Sequence, residues 1–173
     1  MGIYDDALLR AEETGSVPTI RADDQNGRYK YGAAAGVDVP LADDGDTGLF
    51  GRVAWNDGKT ESFAFTEADR SASIGAQLAG TEWERPKDRI AIAFAVNGLS
   101  PEHRNYLAAG GSGFTLGDGR LNYATEQIGE AYYDLAITSF AFVTADIQLV
   151  HNPGYNRDRG PARVVGLRVH LEY

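Results

Sequence analysis

The 173-residue sequence contains no cysteine and no long apolar run. Without cysteine, the chain can form neither disulfide bonds nor a reactive thiolate. A membrane-spanning helix needs roughly 20 consecutive apolar residues, and no stretch approaches that length. The sequence therefore argues against a helical membrane protein. It does not argue against a β-barrel, because barrel strands are apolar on one side only.

Basic residues are also scarce. The chain has 16 Lys and Arg against 25 Asp and Glu, which gives a net charge of −9. Nucleic-acid binding depends on neutralising phosphates with basic side chains, so we expect no nucleic-acid partner. The first residues, Met1 to Asp6, have neither a basic start nor an apolar stretch, so no secretory signal is recognisable. If the protein belongs outside the cytoplasm, we expect that a signal was removed or that the chain is a fragment of a longer protein.

Signatures of catalysis and of metal binding are missing as well. The segment Gly110 to Phe114 fails the nucleophile-elbow pattern, because Phe114 occupies the place of the second glycine. The three histidines, His103, His151 and His170, lack metal-ligand spacing. We therefore predict that the protein is not an enzyme, and that it has no catalytic residue, no metal site and no cofactor.

The clearest positive pattern lies at the C-terminus, from Ala162 to Tyr173. Apolar and polar side chains alternate there, which predicts a β-strand with one apolar and one polar face. The pattern continues to the terminal aromatic residue. The apolar parity is Val165, Leu167, Val169, Leu171 and Tyr173, and the other parity is Gly166, Arg168, His170 and Glu172.

Six more segments show the same alternation, and two short segments are predicted to be helical. A helix over 3–14 would end at Gly15, and a helix over 101–109 would begin after Ser100, a favourable N-cap. The predicted strands are 29–40, 49–56, 70–80, 88–97, 127–137, 141–150 and 162–173.

Short and long connections alternate between these strands. In an up-and-down meander this alternation puts tight turns at one end and long loops at the other, as in bacterial outer-membrane barrels. We therefore predict an all-β fold: about seven strands of an antiparallel, up-and-down transmembrane β-barrel, with short helices in the long loops. The alternative is a soluble all-β domain.

A block from Ala54 to Ser71, Ala-Trp-Asn-Asp-Gly-Lys-Thr-Glu-Ser-Phe-Ala-Phe-Thr-Glu-Ala-Asp-Arg-Ser, closely resembles a block of the carbohydrate-selective porins of the OprB family. Several separate blocks that follow in the same order also resemble this family. They lie at Trp83–Asp88, Val96–Ser100, His103–Gly111, Gly117–Tyr123 and Asn152–Pro161.

The resemblance implies an outer-membrane channel for sugars with a barrel of about sixteen strands. The alternative function is that of a soluble all-β carbohydrate-binding module, which would have to bury both faces of its sheet. Residues 1–28 would be a short N-terminal helix and loop, and residues 29–173 would be the C-terminal part of the barrel. The full-length protein, with its signal peptide, would lie in the cell outer membrane. The expected partners are sugars, outer-membrane lipid, and either the missing porin strands or further copies of the chain.

A sugar channel needs weak, repeated polar contacts along its lumen. The polar parity of the strands supplies candidates, among which Arg52, Asp146 and Arg168 stand out because they lie in strand interiors. The alternative is that these side chains form only the solvated face of a sheet. Besides Lys30, Asp38 and Glu172, the predicted lumen set is Arg52, Asn56, Gln77, Glu130, Tyr132, Asp134, Asp146, Gln148, Arg168 and His170.

A charged and aromatic cluster lies in the long loop after the second strand. These side chains could fold into the lumen and narrow it, or could pair with one another and lock the loop. The cluster comprises Glu61, Phe63, Phe65, Glu67, Asp69 and Arg70.

Overall fold

The computed structural model describes residues 1–21, 27–61 and 67–172. These residues form one antiparallel sheet of seven strands in chain order, with two short helices. The helices are α1 (Tyr4–Thr14) and α2 (Pro101–Ala108), and the strands are β1 (Gly32–Ala42), β2 (Thr47–Asn56), β3 (Arg70–Gly80), β4 (Arg85–Gly98), β5 (Glu126–Ala136), β6 (Ala141–His151) and β7 (Ala162–Leu171).

The predicted meander is confirmed, since every strand pairs with its neighbours in sequence. Tight and long connections alternate, so all the tight turns lie at one end of the sheet and all the long loops at the other. The tight turns span 43–46, 81–84 and 137–140, and the long loops span 57–69, 99–125 and 152–161.

The first strand differs from the prediction at both ends. It begins three residues later, at Gly32, because Tyr31 bonds to the loop: its carbonyl oxygen accepts from the Asp57 N–H at 3.0 Å, and its N–H donates to Asp57 Oδ2 at 3.4 Å. The strand continues past Pro40 to Ala42, with a register shift between these two residues. Such an irregularity accommodates a residue that has no N–H to donate.

One face of the sheet is apolar and is not covered by any described residue. Ile92 in the centre of the sheet is 64% exposed, and Val165 in β7 is 81% exposed. A soluble β-sandwich would cover such a face with a second sheet. The uncovered face is the arrangement expected where a sheet contacts lipid. Its large exposed side chains include Val37, Val39, Val53, Ile74, Phe94, Ile147, Leu149, Leu167 and Val169.

The packed hydrophobic core lies at the long-loop end and not within the sheet. Helices α1 and α2 pack together there, and we call this assembly the loop core. Within the described ranges, neither helix has the length and apolar character needed to cross a membrane. The buried apolar residues of the loop core are Tyr4, Ala7, Ile20, Leu99, Tyr106, Leu107 and Tyr155.

Helix α1 docks onto the loop after β2 by way of its backbone. The Tyr4 N–H donates to the carbonyl oxygen of Lys59 at 3.0 Å, and Ile3 and Thr60 form an isolated antiparallel bridge. Gly15 ends the helix with a φ of 63°, a left-handed conformation that glycine adopts without steric cost. These contacts fix residues 1–21 against the long-loop end of the sheet.

We expect that Ile92→Arg lowers the free energy of unfolding in a lipid bilayer by about 2–4 kcal/mol, since a guanidinium on the lipid side loses hydration. The matched control is Ala93→Arg, which places the same side chain on the polar face at the next position and should cost less than about 1 kcal/mol. The free energies of unfolding of both variants are measured by urea titration of the bilayer-inserted protein, with the folded fraction determined from gel mobility without heating. Equal costs would contradict the assignment of the faces.

Candidate functional site

The polar face is built from rows of residues that the strand register aligns across the sheet. One row runs through the middle of the strands and carries acidic, amide and aromatic side chains next to very small ones. In order from β1 to β6, this row is Asp38, Phe50, Gly75, Ala93, Glu130 and Gln148.

A concavity of about 580 Å³ lies over the centre of this face. Ala91 and Ala93 of β4 line it, and their small side chains leave room above the sheet. The Tyr132 hydroxyl donates a hydrogen bond to Gln77 Oε1 at 3.0 Å, and both residues are in register with Ala91, one strand to either side. The other polar or aromatic residues lining the concavity are Asp38, Phe50 and Glu130.

Two arginines of the polar face form close pairs with carboxylates. Arg52 Nη2 donates to Asp38 Oδ1 at 3.0 Å, and Arg89 Nη2 donates to Asp46 Oδ2 at 2.6 Å. These pairs are partly or largely exposed to solvent, where an ion pair contributes at most about 1 kcal/mol. Each pair therefore adds polar groups to the face with little net charge of its own.

A second concavity of about 450 Å³ lies nearer the tight turns. Phe142 has the polar parity there, and its ring centroid is 6.2 Å from that of its register partner His170. The Thr144 hydroxyl donates to Asp134 Oδ1 at 2.7 Å. The polar and aromatic residues that line the concavity are Arg89, Tyr132, Asp134, Phe142, Thr144, Arg168, His170 and Glu172.

The structure brings most of the predicted lumen residues together on the polar face. Gln77, Glu130 and Tyr132 line the first concavity, while Asp134, Arg168 and His170 line the second with Tyr132. Gln148 Nε2 donates to Asp146 Oδ2 at 3.3 Å beside them.

Asn56 does not join this group. Its side-chain Nδ2 donates to the carbonyl oxygen of Ala68 at 3.0 Å, and its Oδ1 accepts from the Gly58 N–H at 2.9 Å. Both bonds fold the loop after β2, so Asn56 is engaged in loop structure and is not available to line the polar face.

Sequence reasoning missed two polar-face residues, Phe50 and Arg89. Phe50 shares the parity of Arg52, and Arg89 shares the parity of Ala91, so the alternation carried a signal for both. That signal is weak, because Phe50 is an apolar residue in the alternation pattern and because Arg89 lies at a predicted strand end. Phe50 matters most, since it lines the central concavity.

The predicted loop cluster is divided by the structure. Glu61, Glu67 and Asp69 are buried in the loop core, with Asp69 only 1% exposed. Arg70 is exposed at the start of β3, opposite Trp55 in the register. Phe63 and Phe65 lie outside the described residues, as does the terminal Tyr173.

Asp69 is the centre of the polar contacts in the loop core. Its Oδ2 lies 3.0 Å from His103 Nδ1 and accepts the Ser100 N–H at 2.9 Å. The His103 ring is fully buried and stacks on Tyr4 of α1, with centroids 4.4 Å apart and planes inclined by 13°. One carboxylate therefore ties the start of β3 to α2, and through the stacked ring to α1.

The group formed by Ser100, His103 and Asp69 does not have the geometry of a nucleophilic site. The Ser100 hydroxyl donates to the carbonyl oxygen of Gly58 at 2.7 Å and accepts the His103 N–H at 3.0 Å, so it caps α2. A nucleophilic serine would instead present its hydroxyl to the imidazole and to a substrate. The arrangement is a helix cap inside a buried hydrogen-bond network.

The ionisation of Asp69 reflects two opposing effects. Burial raises the pKa of its carboxyl group, but hydrogen bonds from His103 and Ser100 and the nearby charge of Lys30 lower the pKa by more. The net pKa lies below the ordinary value. The pKa of the Tyr4 hydroxyl is raised, first by burial and then by the negative charge of Asp69. Asp69 is thus ionised and Tyr4 is neutral at neutral pH.

Comparisons with known proteins agree with this geometry. The family model described as carbohydrate-selective porin, OprB family, matches residues 2–173. A solved structure of OprB from Pseudomonas putida, determined at high pH, superposes with a TM-score of 0.63 at 22% identity. That match covers 81% of this chain but only 34% of the other, so this chain spans about a third of its length. Among curated proteins, none matches the chain.

We expect that Asp69→Asn lowers the stability of the loop core by about 2–4 kcal/mol, because the buried partners of the carboxylate lose a charged acceptor. Hydrogen exchange of the α2 amides measures this loss. The matched control is Asp38→Asn, which removes an exposed carboxylate paired with Arg52 and should change α2 protection by less than about 1 kcal/mol. Unchanged protection in Asp69→Asn would contradict the central place of Asp69.

Acidification should also lower the stability of the loop core, because it protonates Asp69. Because the folded pKa of Asp69 is depressed, its stabilisation is complete above the ordinary carboxyl pKa of about 3.9 and is lost as the pH falls through the lower folded value. The protection factors of the α2 amides should therefore fall below about pH 3.9, and this part of the pH dependence should vanish in Asp69→Asn. A variant with the same acid profile as the wild type would refute this assignment.

Proposed function

The chain belongs to the carbohydrate-selective porins of the OprB family, and on this basis we propose that it forms part of an outer-membrane channel through which sugars diffuse. The apolar face of the sheet would contact lipid, and the polar face would line a water-filled lumen. This role involves no chemical step, so the protein would act as a channel and not as an enzyme.

The observation that carries the proposal is the contrast between the two faces of one sheet. Ile92 on one side is 64% exposed with no described residue covering it. Directly next to it in sequence, Ala93 lines a concavity with carboxylate, amide and hydroxyl groups around it. Alternation of this kind is what a barrel between lipid and an aqueous lumen requires.

The polar face has the chemistry that sugar permeation needs. Carboxylate and amide groups such as Glu130 and Gln77 can exchange hydrogen bonds with sugar hydroxyls, as water does. Close ion pairs such as Arg52 with Asp38 keep the local field weak, so that a neutral solute is not excluded in favour of ions. A solute that makes weak contacts at several places can enter and also leave.

Closure of the channel needs more strands than the described sheet supplies. Strands β1 and β7 each pair on one side only in the described residues. Unpaired backbone groups are not tolerated in the hydrocarbon core, so a sheet in lipid must close on itself. We propose that further porin strands, or further copies of this chain, pair with these two edges.

The test is expression of this 173-residue chain behind a cleavable secretory signal, fractionation of the cells, and gel mobility with and without heating. We expect a heat-shifted band in the outer-membrane fraction, and proteoliposomes of that material should swell in isotonic monosaccharide. Liposomes with heat-denatured protein are the control. Absence from the membrane, or a heat-shifted protein that gives no swelling, both for the chain alone and for the chain expressed together with N-terminal porin strands, would overturn the proposed function.

A further inference from the structure

Three side chains of the polar face lie flat against a glycine in the neighbouring strand. In each case the side chain and the glycine are direct partners in the strand register. The pairs are Arg52 with Gly36, Phe50 with Gly75, and Asp146 with Gly166.

The approach is so close that a Cβ atom would not fit at two of the glycines and would be crowded at the third. A Cβ at Gly166 would stand 2.1 Å from Asp146 Oδ1. A Cβ at Gly75 would stand 2.4 Å from Phe50 Cζ. At Gly36 the nearest atom would be Cδ of the Arg52 side chain, at 3.0 Å. Each glycine is therefore a recess in the wall that its partner's side chain fills.

These recesses change how far a side chain projects from the sheet. In a strand, side chains normally stand roughly perpendicular to the sheet, and direct cross-strand partners have Cβ atoms about 4.5–5.5 Å apart. A partner without Cβ lets the opposite side chain lie down across the strand. A ring, a guanidinium and a carboxylate thereby occupy the wall instead of the space above it.

Two glycines in strand interiors of the apolar face, Gly51 and Gly129, show no such recess. A Cβ at Gly129 would meet nothing within 4 Å, and a Cβ at Gly51 would make only an ordinary contact of 3.6 Å with Val37. Among these five strand-interior glycines, the side chain of a register partner comes this close only on the face that would line the lumen. Gly129 also lies in a strand interior, which makes it a matched control position.

We propose that Gly36, Gly75 and Gly166 determine the size selectivity of the lumen by holding Arg52, Phe50 and Asp146 against its wall. This inference rests on the proposed channel function. The flat position also keeps the Arg52 guanidinium paired with Asp38 at 3.0 Å and its central carbon 5.5 Å from the Phe50 ring centroid. The recesses therefore control both the free width of the lumen and the charge that a passing saccharide meets.

The sharpest test uses Gly166→Ala, because the atoms that its new Cβ would approach all belong to the Asp146 side chain. The carboxylate must rise into the lumen, so the flux ratio of a disaccharide to a pentose in liposome swelling should fall at least about threefold. The double variant Gly166→Ala/Asp146→Ala removes the displaced carboxylate and should restore the ratio. The control Gly129→Ala should leave the ratio unchanged.

Each outcome separates the two proposals. Wild-type protein that gives no flux overturns the channel function itself. Wild-type flux with an unchanged ratio in a heat-shifted Gly166→Ala variant overturns the selectivity role alone. If Gly166→Ala does not fold but the double variant does, the result supports the recess at Gly166. If neither variant folds, a side chain at position 166 is excluded by something other than Asp146, and the inference fails.

A second position tests whether the effect is general. Gly36→Ala also approaches side-chain atoms of Arg52 only, whereas Gly75→Ala would in addition meet the Ile92 carbonyl oxygen at 2.8 Å. Gly36→Ala should lower the same flux ratio by less than Gly166→Ala does, because Arg52 needs to move by only a few tenths of an ångström, and Gly36→Ala/Arg52→Ala should restore it. A ratio that stays low in this double variant would contradict the proposal at position 36.

Discussion

Backbone hydrogen bonds between consecutive strands determine which residues of this chain lie on each face of the sheet. A slip of one residue in any strand pair would exchange the two faces. Within the described ladders the register shifts between Pro40 and Ala42 and between Ala79 and Gly80, both close to the tight turns. The central parts of the strands thus keep one register, and a continuous polar face follows from it.

Because no second layer of described residues buries either face of the sheet, the compact core of this part of the chain is built from the helices and loops at the long-loop end. Tyr4, Tyr106 and Leu107 are almost fully buried at the long-loop end, around the contact between Asp69 and His103. Buried carboxylates stabilise a structure only when their partners are in place. Here one carboxylate accepts bonds from His103 and from the backbone of Ser100, so packing and charge depend on each other.

The sequence predicted the meander, the strand periodicity and both helices, because these depend on local patterns. It placed Gln77, Glu130 and Tyr132 on the polar face, since parity alone determines a face. It could not show that the amide of Asn56 folds a loop, nor that Asp69 is buried against a histidine 34 residues away. Such contacts depend on the approach of separate loops, which alternation does not encode.

The strand pairs join segments that are close in sequence, whereas the loop-core contacts join distant ones. Every strand pair joins neighbours in the chain, so the sheet can form hairpin by hairpin with little loss of chain entropy. The loop core instead joins distant segments, as in the bond from the Ile20 N–H to the Tyr106 hydroxyl, 86 residues apart. The parts of the loop core follow or precede β2, β3 and β4, so we expect it to assemble once these strands are aligned. The stacking of Tyr4 on His103 would then be a late contact, formed by chains whose hairpins have the correct register.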